Sequence, residues 1–178
     1  MNALIISDIH GSHEALEIAL NTHLDYDLLI LVGDHMYHGP RNPILPDYNP
    51  QKVADRLNAI TKPIIAVRGN CDSEVDQMIL NHAMMQDYTV LQLNEHMVYL
   101  THGHLNNPSE HAPTTATDIY ISGHTHLPGI ETIGKTTLFN PGSIALPKGG
   151  HPASYGYLSS DSLNIYTLDH TLYKTHQL

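Results

Sequence analysis

The sequence predicts an α/β sandwich: two mixed β-sheets flanked by helices, forming a single domain over residues 1–178. Three observations carry this expectation. Short, wholly apolar runs alternate with amphipathic helical stripes in the first part of the chain. The last third changes to strand and hairpin signals. The length, 178 residues, is that of one domain.

Ala3-Leu4-Ile5-Ile6 reads as a buried strand. Ser12 then caps a helix whose Ala15, Leu16, Ala19 and Leu20 share one face. Leu28–Val32 is a second buried strand, followed by a proline-rich loop with Pro40, Pro43, Pro46 and Pro50. Asn49 as N-cap and Pro50 at the first helical position open a second helix with a Val53, Leu57, Ile60 stripe. Pro63–Val67 is a third strand. Ser73, with Asp76 three residues on, opens a third helix through a capping box. Tyr88–Leu93 and Met97–Thr101 are strands around a turn at Asn94-Glu95, and Asp118–Ser122 is another. Gly134-Lys135 joins Ile130–Ile133 to Thr136–Phe139 as a hairpin. Ser154–Leu158, Leu163–Leu168 and Leu172–Thr175 complete the strands, and Asn106–Thr117, rich in proline and threonine, reads as a loop.

Each apolar strand runs into a polar cluster. The clusters are Asp8-Ile9-His10, Gly33-Asp34, Arg68-Gly69-Asn70-Cys71-Asp72, His102-Gly103-His104 and Gly123-His124-Thr125-His126. In α/β sheets the functional crevice lies beyond the carboxyl ends of the strands. Strand ends that all bear Asp, Asn or His therefore converge on one edge. Carboxylate, amide oxygen and imidazole suit Mn²⁺, Fe²⁺, Zn²⁺, Co²⁺ or Ni²⁺. Asp8 and His10 alternate around Ile9, and His124 and His126 around Thr125, so each pair can point one way from an extended segment. The glycines before Asp34, Asn70 and His124 allow tight turns near an ion.

Composition narrows the function. Asp and Glu number 18 against 8 Lys and Arg, giving a net charge of −10, and there are 15 histidines. Duplex nucleic acid is bound largely by phosphate neutralisation, so a basic-poor chain argues against it. A small anion held by metal remains compatible. Cys71 is the lone cysteine, which excludes an intramolecular disulfide and fits a reducing compartment. Residues 1–7 carry no basic signal region, and no apolar run approaches the ~20 residues of a membrane span. The expectation is a cytoplasmic protein without membrane contact.

The series Asp8-x-His10, Gly33-Asp34, Gly69-Asn70-x-Asp72, His102-Gly103 and Gly123-His124-x-His126 resembles the calcineurin-like metallophosphoesterase superfamily. His38–Pro43, Arg68–Met78 and Asn140-Pro141-Gly142-Ser143 are similar to the small bacterial phosphodiesterases of the YfcE type. The resemblance implies a four-layer α/β/β/α sandwich and two divalent metal ions, with Mn²⁺ the first expectation. By the family pattern Asp8, His10 and His126 hold one ion, Asn70, His102 and His124 the other, and Asp34 bridges both. It implies a phosphoric diester hydrolase acting on small molecules through a hydroxide bridging the ions, with Asp34, Asn70 and His102 named as catalytic. Two ions, two carboxylates and the hydroxide leave a local charge of about +1, because ligating histidines are neutral. The site thus attracts an anion despite the acidic surface.

Two residues depart from the family pattern. Cys71 stands where many members carry a leaving-group histidine, and a thiol is a weak donor. Tyr37 stands where the broad pattern has an Asp. His104 is either a replacement donor or a surface residue. Arg68 either pairs with a carboxylate or contacts phosphate, and Arg41 is the other cation near the motifs. Cys71 reads as wall of the site, His35 and His38 as cleft lining or as solvent-exposed, and Asn140–Ser143 as a supporting turn. A phosphomonoesterase, a nuclease for short or single-stranded substrates, and a binding module with a dead site, as in the superfamily's trafficking scaffolds, are the alternatives. Exposed C-terminal strands could pair copies of the chain into a homo-oligomer.

Overall fold

The computed structural model describes residues 1–105 and 117–178. The loop reading of Asn106–Thr117 therefore falls, except for Thr117, outside the described residues. The first sheet holds β1 (Ala3–Ile6), β2 (Leu28–Leu31), β3 (Ile64–Ala66), β9 (Ser154–Leu158), β10 (Ser162–Thr167) and β11 (Leu172–Gln177), in the order β11-β10-β9-β1-β2-β3. The second holds β4 (Tyr88–Leu93), β5 (His96–Thr101), β6 (Ile119–Ile121), β7 (Gly129–Ile133) and β8 (Thr136–Asn140), in the order β4-β5-β6-β8-β7. Both are mixed: β1 runs parallel to β2 and antiparallel to β9, and β5 runs parallel to β6 and antiparallel to β4.

Alternation of side chains divides each central strand between two cores. Leu4, Ile6, Leu29 and Leu31 face the helices and pack with Ala15, Leu16, Val53 and Leu57. Ala3, Ile5, Leu28 and Ile30 face the second sheet and pack with Val98, Leu100, Ile119, Ile121 and Phe139. A strand buried on both faces has no polar alternation, which is why β1 and β2 read as unbroken apolar runs. Burying each such side chain contributes roughly 1.5–3 kcal/mol.

Helix α1 (His13–Leu20) starts where the Ser12 hydroxyl accepts the Ala15 N–H (3.3 Å). Helix α2 (Pro50–Asn58) starts where Asn49 Oδ1 accepts the Lys52 N–H (3.1 Å), and Ile60 lies beyond its end, half-buried on the same core. Helix α3 (Glu74–Ile79) is short and buries none of its residues; Asp76 Oδ2 accepts the Ser73 N–H at 2.8 Å.

The last three strands return to the first sheet and do not extend the second. Residue order hides this, because the hairpin β7–β8 lies between. The return puts β9 against β1 and brings the 141–146 turn beside Asp8. Among the described residues no helix is long and apolar enough to cross a membrane.

Candidate metal centre

The parallel strands stop together, and their hydrogen bonding continues into the loops. The Asp8 N–H donates to the Gly33 carbonyl (3.1 Å), and the His10 N–H to that of Asp34 (2.9 Å). This ties the first two polar clusters side by side. The second sheet delivers its own clusters across the gap: the His124 N–H reaches Asp8 Oδ2 at 3.2 Å, and His102 Nδ1 donates to the Val32 carbonyl at 2.6 Å.

The backbone here is not extended. Asp8 (φ 55°), His10 (φ 47°), Asp34 (φ 55°), His124 (φ 65°) and His126 (φ 60°) all occupy the left-handed region. Such residues cost about 1–3 kcal/mol each and persist only where their surroundings hold them. The extended Asp8-x-His10 and His124-x-His126 readings are thereby corrected: tight left-handed turns aim each pair inward. Ile9, between the first pair, is buried in the helix-side core and pins that turn. The flanking glycines serve close approach more than turning. A Cβ on Gly69 would sit 2.0 Å from Asp34 Oδ1, and one on Gly123 would sit 2.1 Å from Ser7 Oγ.

Three imidazoles are oriented alike. His10 Nδ1 donates to the Tyr37 carbonyl (3.0 Å), His102 Nδ1 to Val32, and His126 Nδ1 to the Leu146 carbonyl (2.5 Å). Each bond turns Nε2 inward, the arrangement that metal-ligating histidines adopt. His126 Nε2 lies 3.2 Å and His10 Nε2 3.7 Å from Asp8 Oδ1. Asp34 Oδ2 lies 3.6 Å from His10 Nε2 and 3.4 Å from His102 Nε2, between the two groups. Asp8 Oδ2 is held by the Ser7 hydroxyl (2.6 Å), and Asp34 Oδ1 by the Cys71 N–H (2.8 Å). One oxygen of each carboxylate is therefore left for the centre.

The donor atoms of Asp8, His10 and His126 lie within 4.8 Å of one another, as do those of Asp8, Asp34 and His102, and those of His10, Asp34 and Cys71. Asp8 Oδ1 and His102 Nε2 are buried without a hydrogen-bond partner. A buried polar atom left so is costly, and a divalent cation among these oxygens and neutral nitrogens removes the cost. The residues present fit metal ions.

Charge pairs with charge throughout. Burial opposes ionisation of Asp8 and Asp34, yet the close approach of His10 and His126 to Asp8, and of His102 and its charge to Asp34, outweigh it and hold both carboxyls low. Burial likewise opposes charging of His102, but Asp34 and the Asp8 charge raise it to about 9. His124 and His104 are lowered, first by burial and then by the His102 charge. Burial pushes the Cys71 thiol up to about 12, with the Asp34 charge adding to it.

The remaining sequence candidates take clear places. The His124 ring lies 5.2 Å from that of His102, and His104 lies 5.4 Å from His102 and 6.2 Å from His124. Asn70 is exposed and lines the cleft over the centre; its Nδ2 donates to Cys71 Sγ at 3.3 Å. That cleft, about 800 Å³, is also lined by Tyr37, Arg41, Cys71, His124 and Lys148. Arg68 Nε donates to Asp87 at 2.5 Å, the carboxylate alternative, and Arg68 is absent from the lining.

His35 does not line this cleft and meets no solvent. It is fully buried, with Nδ1 2.9 Å from Asp72 Oδ2. Asp72 also accepts the N–H groups of Asp34 (2.9 Å), His35 (2.8 Å) and Gly69 (2.7 Å). One carboxylate thus joins the loops after β2 and β3. Sequence reading quoted Asp72 within a motif but gave it no role, and it missed Lys148, which no motif marks.

Residues 1–162 match the family model of the calcineurin-like phosphoesterase superfamily domain. The chain belongs to that superfamily. Phosphodiesterase YfcE of Escherichia coli K12 is 44% identical over 171 residues, covering 95% of this chain and 93% of that protein. The probable metallophosphoesterase YsnB of Bacillus subtilis is 31% identical, covering 91% and 86%. The solved structure of the Escherichia coli phosphoesterase Yfce superposes with a TM-score of 0.93 at 43% identity, over 99% of this chain and 98% of that one. The two mixed sheets with flanking helices are those of this calcineurin-like fold. Membership makes the protein a metal-dependent hydrolase of phosphate esters.

Proposed function

We propose that the protein is a phosphodiesterase for small-molecule diesters, working at two divalent ions with Mn²⁺ the preferred pair. The observation that carries the reading is the position of Asp34 Oδ2, 3.6 Å from His10 Nε2 and 3.4 Å from His102 Nε2, where one oxygen can serve two ions. Asp8, His10 and His126 would hold the first ion, Asn70, His102 and His124 the second, and Asp34 would serve both. Divalent ions bound there would supply Lewis-acid chemistry, polarising a phosphate oxygen and lowering the pKa of a bound water from ~15.7 toward ~7.

The chain's own residues prepare that chemistry. The Val32, Tyr37 and Leu146 carbonyls fix the histidine tautomers. Ser7 and the Cys71 N–H each occupy one carboxylate oxygen, so the other faces inward. Asn70 and Arg41 border the cleft where the diester enters. Cys71, whose thiol burial and the Asp34 charge push up to about 12 in the metal-free protein, is a poor proton donor, so substrates with good leaving groups react fastest.

The 44% identity to phosphodiesterase YfcE supports a diester substrate, and the scarcity of Lys and Arg, 8 in all, supports a small molecule over duplex nucleic acid. One domain over 1–178, acting in a reducing cytoplasm, accords with the single free cysteine. Hydrolysis of bis-p-nitrophenyl phosphate and of p-nitrophenyl phosphate is to be compared with Mn²⁺, with EDTA, and in Asp34→Ala. The expected outcome is Mn²⁺-dependent cleavage favouring the diester and lost in Asp34→Ala. Equal turnover in all conditions, or none with any metal, overturns the reading.

A further inference from the structure

The geometry points to the class of diester that this cleft takes: one whose second ester arm carries another negative charge, received by Arg41 and Lys148. The inference rests on the diesterase reading above and deepens it.

Cations are scarce in this chain, 8 against 18 acidic residues, yet two of them border one cleft. Among the described residues Arg56 pairs with Glu17 and Arg68 with Asp87. Arg41 and Lys148 have no carboxylate partner there. The carboxylates bordering the cleft are Asp34 and Asp72. Asp34 belongs to the metal centre, and Asp72 is locked to His35 (2.9 Å). No carboxylate in the lining is left to balance the two cations.

Both cations are presented by turns tied to the centre. Arg41 lies in the turn closed by the Asn42 N–H on the Gly39 carbonyl (3.3 Å), braced by Asn42 Nδ2 on the His38 carbonyl (2.8 Å). That turn rests on the wall of the site: a Cβ on Gly39 would sit 3.0 Å from Cys71 Sγ. The Lys148 N–H donates to the carbonyl of His126 (3.4 Å), and the Lys148 carbonyl accepts the His151 N–H (3.1 Å). These bonds fix the backbone from which the two exposed side chains leave, on the border of the cleft over the centre. A scissile diester is a monoanion, and the centre's own excess of about +1 already matches it. Two further positive charges are matched in part by a carboxylate, and fully by a phosphate, on the arm.

The test uses p-nitrophenyl phosphodiesters whose second arm ends in a carboxylate, a phosphate, a neutral methyl or a trimethylammonium group. In the wild type kcat/KM should favour the anionic arms over the cationic one by about three- to tenfold, the size expected of two exposed charge contacts, and the difference should lie in KM. Lys148→Glu and Arg41→Glu should each shrink or invert that ratio. A ratio is read so that a general loss of rate does not mimic the effect. Calorimetric titration with non-hydrolysable phosphonate monoesters bearing the same arms should show the same order without turnover. Carboxylate and phosphate arms separate the two sources of negative charge. A ratio near one, a ratio untouched by either substitution, or a charge effect confined to p-nitrophenyl phosphate overturns the inference. Hydrolysis of no arm at all overturns the diesterase reading instead, and the phosphonate titration still decides this one.

Discussion

The Ser143 hydroxyl donates to the main-chain carbonyl of Asp8 at 2.8 Å across 135 residues of sequence. The same oxygen accepts the N–H groups of Ala145 (3.1 Å) and Leu146 (2.8 Å), and the Leu146 carbonyl in turn holds His126. One fully buried hydroxyl therefore braces two of the proposed ligands of the first ion.

Ser143→Ala should cost roughly 1–3 kcal/mol, since it strips a buried carbonyl and two N–H groups of their partner. It should weaken metal binding about 10- to 100-fold by loosening Asp8 and His126 together. Urea denaturation and a metal titration followed by competition with a chelator check the two effects separately.

Asp72→Asn should be among the most damaging single changes. It leaves the buried His35 without its counter-charge, a loss of about 3–5 kcal/mol. Burial opposes both charges, but the His35 charge holds Asp72 far below the usual carboxylate range, and the Asp72 charge raises His35. The Asp72 contribution is present above about pH 4 and is lost on acidification. The His35 contribution is present below about pH 6.5 and is lost as pH climbs through its raised value. The gap in urea midpoint between wild type and Asp72→Asn should accordingly be widest between those limits. A gap independent of pH would show that the pair is not ionised.

Metal uptake should release protons. In the metal-free protein His102 is raised to about 9, with burial working against that rise and Asp34 and Asp8 producing it. Its Nε2 must lose the proton to ligate. Affinity should therefore climb with pH up to about 9 and flatten above it. Titration calorimetry in two buffers of different ionisation enthalpy at pH 7 reads the number of protons released; zero would show that His102 is already neutral at pH 7 in the metal-free protein.

Cys71→Ser should leave the dependence of rate on leaving-group pKa unchanged, because a thiol near 12 supplies no proton at neutral pH. A series of substituted phenyl diesters measures that slope. A shallower slope in the wild type than in Cys71→Ser would mean that the thiol does protonate the departing phenolate.

Most of the secondary structure was legible because burial on two faces writes unbroken apolar strands, as in Leu4–Ile6 and Leu28–Leu31, and because Ser12, Asn49 and Ser73 sit where helices need caps. Pairing was not legible. Nothing in Ser154–Leu158 says that it joins β1 and not the neighbouring hairpin β7–β8, since that choice is made by contacts between distant segments. Of the site, the clusters showed as strand-end polar residues, but their left-handed backbone did not, because Asp and His rarely adopt it unaided. His35 was obscured by its neighbour Asp34: a polar residue beside another looks exposed until its partner, Asp72, is seen. Lys148 stands in no pattern at all; the fold brings it to the border of the cleft, where its backbone N–H meets the His126 carbonyl.

The β1–β9 pairing has a bearing on how the protein is made. A ribosome delivers the Asp8 turn well before Ser143 and β9, its brace, have emerged. A nascent chain halted before that point holds the early donors with nothing to set their aim. The aim of Asp8 is thereby set only once the segment that carries Ser143 has been made.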